Sequence, residues 1–296
     1  MAAIKYLLGQ FGKFLRNYLR IKIPQNIYKS MGFYGEFIFE ANGTEVTLHN
    51  FRDEISNDIF YSGIYGNYEG HSLELWNNLC LQAQDSIVMD IGAFSGVYSL
   101  VAANANPKID IYSFEPHPNT FKMLKKNTQS NNFKNIYLNN YALSDYDGEI
   151  KFYNSKGDAP SGFSAVNHRF IEKDAGTKIC IARDILSILN SELSMKRISL
   201  IKIDIERGEL PLLRIMIDRI VKDKTIVLSE ILDEEFYEDF DTLFHQNGFQ
   251  SIKINDLNHS TEIVASLGGT SRIGRNVLFI PAEINLLSLN INDERI

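Results

Sequence analysis

Residues 85–100 read Asp-Ser-Ile-Val-Met-Asp-Ile-Gly-Ala-Phe-Ser-Gly-Val-Tyr-Ser-Leu, and this stretch decides the fold. Ile87-Val88-Met89 is a short apolar run of strand type, and Val97–Asn104 reads as a helix. The turn between them carries Gly92 and Gly96. A strand that passes through a glycine-bearing turn into a helix is the first half of a βαβ unit. Sheets built from such units bind their ligands beyond the carboxyl ends of the strands.

The same rhythm continues downstream. Ile109–Phe114 reads as a second strand, Thr120–Ser130 as a helix and Ile136–Asn140 as a third strand. Leu200–Ile203, a helix over Glu209–Ile220, the strand Thr225–Ser229 and the helix Phe236–Asn247 follow. Strands near Ser251–Ile254 and Asn276–Ile280 close the pattern. The alternation predicts an α/β fold: a Rossmann-like, doubly wound, mainly parallel sheet with helices on both faces.

Upstream the pattern differs. Ile4, Leu7, Leu8, Phe11, Phe14, Leu15, Tyr18 and Leu19 recur at helical spacing, so residues 3–20 read as an amphipathic helix. Residues 35–49 alternate around Asn42-Gly43, the signature of a β-hairpin. Residues 51–75 read as a loop leading to a helix around Leu73–Leu81. The expected organisation is an N-terminal helix and hairpin cap over 1–74, a ligand-binding domain over 75–282, and a tail over 283–296.

Net charge is −7, but residues 1–35 hold six basic side chains and no acidic one. The remainder therefore carries 24 basic against 37 acidic groups, which disfavours nucleic acid as a partner. The basic helix 3–20 has two readings: a helix docked on its own domain or on a second copy, or one resting on an anionic membrane surface. Two cysteines without metal-ligand spacing point to a reducing compartment, and no apolar run has the length of a membrane span. A cytoplasmic protein is expected, with contact at the inner face of a membrane as its variant.

The chemistry lies at the strand tips. Asp90 ends the first strand, Gly92 lets the backbone approach a ligand, and Gly96 permits close helix packing. A dinucleotide site normally places glycine at the position of Asp90, because a carboxylate there repels a diphosphate. The same carboxylate suits the ammonium group of a methionine moiety. Nineteen residues after Gly96, Glu115 ends the second strand, where a carboxylate accepts hydrogen bonds from ribose hydroxyls. The set Asp90, Gly92, Gly96 and Glu115 fits S-adenosyl-L-methionine better than NAD. Pro116 and His117 follow beside the adenosine, and Ala142 and Leu143 end the third strand where adenine is held.

Four runs carry a family resemblance: Asp85–Leu100, Tyr112–Asn127, Asn140–Asp145 and Leu200–Glu209. With Tyr68-Glu69, Ser161-Gly162-Phe163-Ser164, Leu228-Ser229-Glu230 and Asn276–Phe279, they resemble the FkbM family of S-adenosylmethionine-dependent methyltransferases over about residues 35–282. The resemblance implies a class I methyltransferase fold and O-methylation of sugars, glycans, lipids or other natural products. It adds Tyr68 and Glu69 to the cofactor side. Two positions depart from the family: Phe94 stands where Asn is frequent, and Arg207 occupies the glycine of the KIDxEGxE motif, with Gly208 after it.

On the acceptor side, Lys202, Asp204 and Glu206 alternate along the fourth strand and its exit. Asp204 is the first candidate for a catalytic base or acceptor-orienting group, and Glu206 the second; structural carboxylates or an ion pair with Lys202 are the alternatives. Glu230 at the next tip permits a divalent metal shared with Asp204 and Glu206, but the residues do not require one. Glu209 fits a structural place in the first turn of the next helix, and His168 fits a solvent-facing loop, with an acceptor-side loop as its alternative. The leading expectation is an O-methyltransferase acting on a small-molecule or glycan acceptor. N-methylation on the same fold, an NAD-dependent oxidoreductase, and a non-catalytic module that binds the cofactor or docks on a membrane remain open.

Overall fold

The computed structural model describes residues 7, 9, 11, 12, 14, 15, 23–28, 33–41, 43–51, 53–66, 68–153, 177–269 and 274–289. Of the expected helix 3–20, residues 7, 9, 11, 12, 14 and 15 are helical, and the others lie outside the described residues. Among the described residues no helix is long and apolar enough to cross a membrane.

After a short turn of helix (α1, Gln25–Tyr28), the expected hairpin forms from β1 (Tyr34–Ala41) and β2 (Thr44–Phe51). Ala41 pairs with Thr44, and Gly43 in the turn before Thr44 supplies a φ of +70°. A helix not foreseen, α2 (Glu54–Ser62), follows; Asp53 caps it by accepting the Ser56 amide. Next is α3 (Gly70–Gln82).

The βα alternation then runs β3 (Ile87–Ile91), α4 (Val97–Ala105), β4 (Asp110–Phe114), α5 (Pro118–Gln129) and β5 (Ile136–Asn139). A small sheet intervenes, from β6 (Ala142–Ser144), β7 (Gly148–Tyr153) and β8 (Thr177–Asp184), in the order β6-β8-β7. After α6 (Ile185–Asn190) come β9 (Ile198–Ile203), α7 (Glu209–Asp223), β10 (Ile226–Glu230), α8 (Tyr237–His245), β11 (Phe249–Asn255), β12 (Ser260–Val264) and β13 (Asn276–Pro281).

The central sheet has the order β12-β11-β13-β10-β9-β3-β4-β5. Strands β5, β4, β3, β9 and β10 are mutually parallel, while β13 inserts antiparallel between β10 and β11. From β3 the chain winds outward to β5, then returns to β9 and winds the other way. The helices that follow β3 and β9 therefore pack on opposite faces of the sheet, and a crevice opens at the carboxyl ends of the strands.

Both faces of this sheet are covered, which explains why its strands are continuous apolar runs. Strand alternation sends Val88, Leu200, Leu228 and Leu278 to one core, shared with α3, α4 and the hairpin. Met89, Ile201, Val227 and Phe279 go to the other, under α6, α7 and α8. The hairpin is also stitched to α5: the Asn127 side chain accepts the His49 amide at 2.8 Å and donates to the Ser95 carbonyl at 2.8 Å. Asn131 bonds both the amide and the carbonyl of Thr47.

Candidate active site

The alternation that buries Val88, Leu200 and Leu228 puts Asp90, Lys202 and Glu230 on the same face, two residues further on. Asp90 pairs directly with Lys202 across β3 and β9, and Lys202 with Leu228 across β9 and β10. Ionisable groups this deep need partners. The Lys202 Nζ donates to Asp204 Oδ2 at 2.8 Å and lies 4.8 Å from the centre of the Tyr98 ring. Burial pulls this ammonium down, but attraction from Asp204, Glu69 and Asp90 outweighs it and holds the group above its usual range. Asp90 is pushed up by burial against the pull of Lys202, and its Oδ2 accepts the Ser99 hydroxyl at 2.5 Å.

Tyr68 and Glu69 roof this stripe at the start of α3. Glu69 takes a left-handed conformation (φ 36°) and accepts the Tyr98 hydroxyl at 2.8 Å. Burial raises its carboxyl, with Lys202 opposing. Glu230 is pushed up to about 9, first by burial and then by the negative charges of Asp204 and Glu69. Its neighbours thus favour the protonated form of Glu230.

In the turn after β3, a β-carbon on Gly92 would stand 1.8 Å from the Asp204 carbonyl oxygen, so the tip of β9 itself demands glycine here. Gly92 also has a φ of +82°. Gly96 packs as expected: its β-carbon would meet Leu124 of α5 at 2.5 Å. Between them Phe94 adopts a left-handed φ of 49°, a conformation that Asn tolerates better than an aromatic residue.

The Phe94 amide donates to Glu115 Oε2 at 3.0 Å. Glu115 Oε1 is filled by the Thr120 hydroxyl (2.6 Å) and the His117 amide (2.8 Å), which leaves a lone pair on Oε2 for a further donor. Burial raises Glu115 to about 7 despite these donors. The His117 ring is a helix cap, with Nδ1 accepting the Asn119 amide at 3.3 Å.

These elements enclose a cleft of about 330 Å³. Tyr68, Asp90, Gly92, Glu115, Pro116, Ala142, Leu143, Asp204 and Glu206 line it, whereas Glu69, Gly96 and His117 support it from behind. Thr120 and Tyr98 also line it and escaped the sequence reading. Thr120 lies five positions after the carboxylate it bonds, and only the docking of α5 brings them together. The Ser161–Ser164 turn and His168 lie outside the described residues.

The sequence profile of the methyltransferase FkbM domain matches residues 90–251, more than half of the chain. The chain belongs to the FkbM methyltransferase family. Its matched region is thus an S-adenosylmethionine-dependent methyltransferase domain of class I type. Methyltransferase 1 of Beauveria bassiana is 26% identical over 145 residues, covering 44% of this chain and 58% of that protein. The chain thus spans little more than half the length of that relative. Among solved structures, methyltransferase FkbM from Methylobacillus flagellatus is similar at 15% identity and a TM-score of 0.42, covering 77% of this chain and 55% of the other. A SAM-dependent methyltransferase from Agrobacterium tumefaciens is similar at 12% identity and a TM-score of 0.44, covering 84% and 71%.

The loop after β9 turns sharply at the arginine. Glu206 and Arg207 both take positive φ, 57° and 83°, so the ladder ends and Glu206 turns into the cleft instead of continuing the alternation. Arg207 is held by Asp233, with Nε to Oδ2 at 2.6 Å and Nη2 to Oδ1 at 3.2 Å. Glu209 has the structural place expected of it: its Oε1 accepts the amides of Ile205 (2.7 Å) and Arg207 (3.3 Å). Burial leads in raising both Glu209, to about 7, and Glu206. Among the described residues the donor atoms of Asp204, Glu206 and Glu230 do not converge as a metal-binding triad; His71, Glu74 and His259 do.

Proposed function

We propose that the chain methylates a hydroxyl of a sugar, glycan or related metabolite, with Asp204 as the residue that orients the acceptor and takes its proton. The observation that carries this reading is Asp204 itself. It lines the cleft, is held by buried Lys202, and stands beside Glu230, whose carboxyl its charge helps to raise.

The cleft suits the family's cofactor. Its volume is of the size that small ligands occupy, on the order of 300–1,000 Å³, and it runs from the acidic tip of β3 to the apolar exit of β5. Glu115 offers its free lone pair to a ribose hydroxyl, and Asp90 sets negative charge at the end where an amino-acid ammonium belongs. Ala142, Leu143 and Pro116 supply apolar walls for a purine. Bound S-adenosylmethionine supplies an electrophilic methyl group for in-line displacement. Alignment of the acceptor oxygen then provides much of the acceleration.

Glu230, whose carboxyl is raised by burial and by the charge of Asp204, stands beside that residue at the neighbouring strand tip. Lys202 fixes the direction of the Asp204 carboxylate. Tyr68, raised well above its usual range by burial and neighbouring carboxylates, stays a neutral hydroxyl in the same wall.

The test is to incubate the protein with S-adenosylmethionine and a panel of sugar, glycan and amine acceptors, and to quantify S-adenosylhomocysteine and the methylated product. Hydroxyl methylation that falls by about 10²–10⁴ in kcat in Asp204→Asn, with cofactor affinity retained, supports the reading. Methylation confined to amines, or an unimpaired Asp204→Asn, overturns it.

A further inference from the structure

Outside the cleft, one group of side chains has no part in the chemistry above. His71 and Glu74 lie three residues apart in the opening turns of α3 and so share a face. His259 comes from the turn between β11 and β12. One donor atom from each of the three lies within 4.8 Å of the other two. The two imidazole rings have their centroids 5.7 Å apart at 61°, so neither stacks on the other.

The His71 Nδ1 is the telling atom. It is shielded from solvent and has no hydrogen-bond partner, although Glu74 Oε2 stands 3.5 Å away. A buried ring nitrogen without a partner is costly to maintain. A cation between the rings and the carboxylate removes that cost and uses all three groups at once.

The scaffold beneath is already fixed. Asp256, in the same turn as His259, accepts the Ser72 amide at 2.7 Å and the Ser72 hydroxyl at 2.9 Å. Asn276 of β13 donates to the Ser72 hydroxyl at 3.0 Å and to Asp256 Oδ2 at 3.3 Å. The turn that brings His259 is thus tied to the residue next to His71 before any ion arrives. Glu74 and His259 are exposed, which gives an ion a path from solvent.

We propose that His71, Glu74 and His259 form a binding site for a divalent transition-metal ion, with zinc as the matching ion. Two imidazoles and one carboxylate form a nitrogen-rich set that suits zinc and leaves a fourth position to water, whereas calcium and magnesium take oxygen ligands. The ion pins the first turns of α3 to the β11–β12 turn. Tyr68 and Glu69 immediately precede that helix, so the ion also steadies the roof of the cleft without entering it.

The experiment is a zinc titration of the full chain, stripped with a chelator and desalted, in competition with a chromophoric chelator. The variants are His71→Ala, Glu74→Gln and His259→Ala, with His245→Ala as a histidine control and circular dichroism to confirm that each is folded. One equivalent should bind the wild type and the control, weaken by on the order of 10–100-fold or more in each ligand variant, and raise the thermal midpoint only where it binds. No stoichiometric uptake by the wild type overturns the site. Uptake unchanged in the His71 and His259 variants, or a preference for calcium or magnesium, overturns it equally.

Discussion

The α-carbon of Gly92 faces the Asp204 carbonyl so closely that a β-carbon there would stand 1.8 Å from the oxygen. The Asp204 amide in turn donates to the Ile91 carbonyl at 3.0 Å. The two loops that flank the crevice are therefore one backbone unit. Gly92→Ala combines this clash with a φ of +82°, and it should destabilise the fold by well over ~1 kcal/mol. Urea denaturation beside Ala93→Gly checks it; a Gly92→Ala change of less than about 0.5 kcal/mol would refute the stated contact.

Lys202 is the cation on which Asp204, Glu69 and Asp90 all draw. In Lys202→Met these carboxylates lose it while staying buried, at an expected cost of about 3–5 kcal/mol. The deficit should shrink as pH is lowered, since protonating a carboxylate removes the uncompensated charge. A deficit that is constant between neutral and mildly acidic pH would point to lost packing instead.

Glu115 binds its proton up to about pH 7 in the folded protein, against 4.5 for an ordinary glutamate. The folded state holds more protons within that window. The group's contribution to stability is thus complete below about 4.5 and is lost as pH rises to about 7. The loss is on the order of 3 kcal/mol, and Glu115→Gln should abolish this component. Cofactor hydroxyls favour the carboxylate, so affinity for S-adenosylmethionine should rise about tenfold from pH ~6 to ~8 if only that form binds. Calorimetry across the range decides the matter, and a flat wild-type profile goes against the assignment of Glu115 to the ribose.

Arg207 sits at a φ of 83° where the family has glycine. Arg207→Gly relieves left-handed strain of roughly 1–2 kcal/mol and gives up an ion pair with Asp233 worth about 0–1 kcal/mol. It should be neutral to stabilising. Arg207→Ala loses the pair and keeps the strain, so it should melt below Arg207→Gly. The reverse order of melting would mean that the loop does not need a left-handed residue.

The parallel strands were legible because burial on both faces makes each a continuous apolar run, and Asp90 and Glu115 stood out as the charges that end two of them. Helix α2 was not, since its buried residues include Ser56 and Asn57, which give it no clean apolar stripe. The small sheet escaped for a related reason: Ile179 and Ile181 of β8 point to solvent while Cys180 and Ala182 are buried, which inverts the usual signal. In the site, glycine spacing announced that backbone comes close at residue 92 but not to what. The partners Thr120 and Tyr98 depend on how helices dock, which no local pattern records.

Asn127 bonds the hairpin at His49 with one end of its amide and the glycine-bearing turn at Ser95 with the other. Protection from hydrogen exchange should therefore rise and fall together in β2 and in residues 92–96, since opening either strands one end of a fully buried amide. The front of the chain is no detachable accessory. Trimming it would leave the Asn127 carbonyl oxygen without the His49 amide, and the damage would be felt at the turn beside Asp90 before it reached the rest of the sheet.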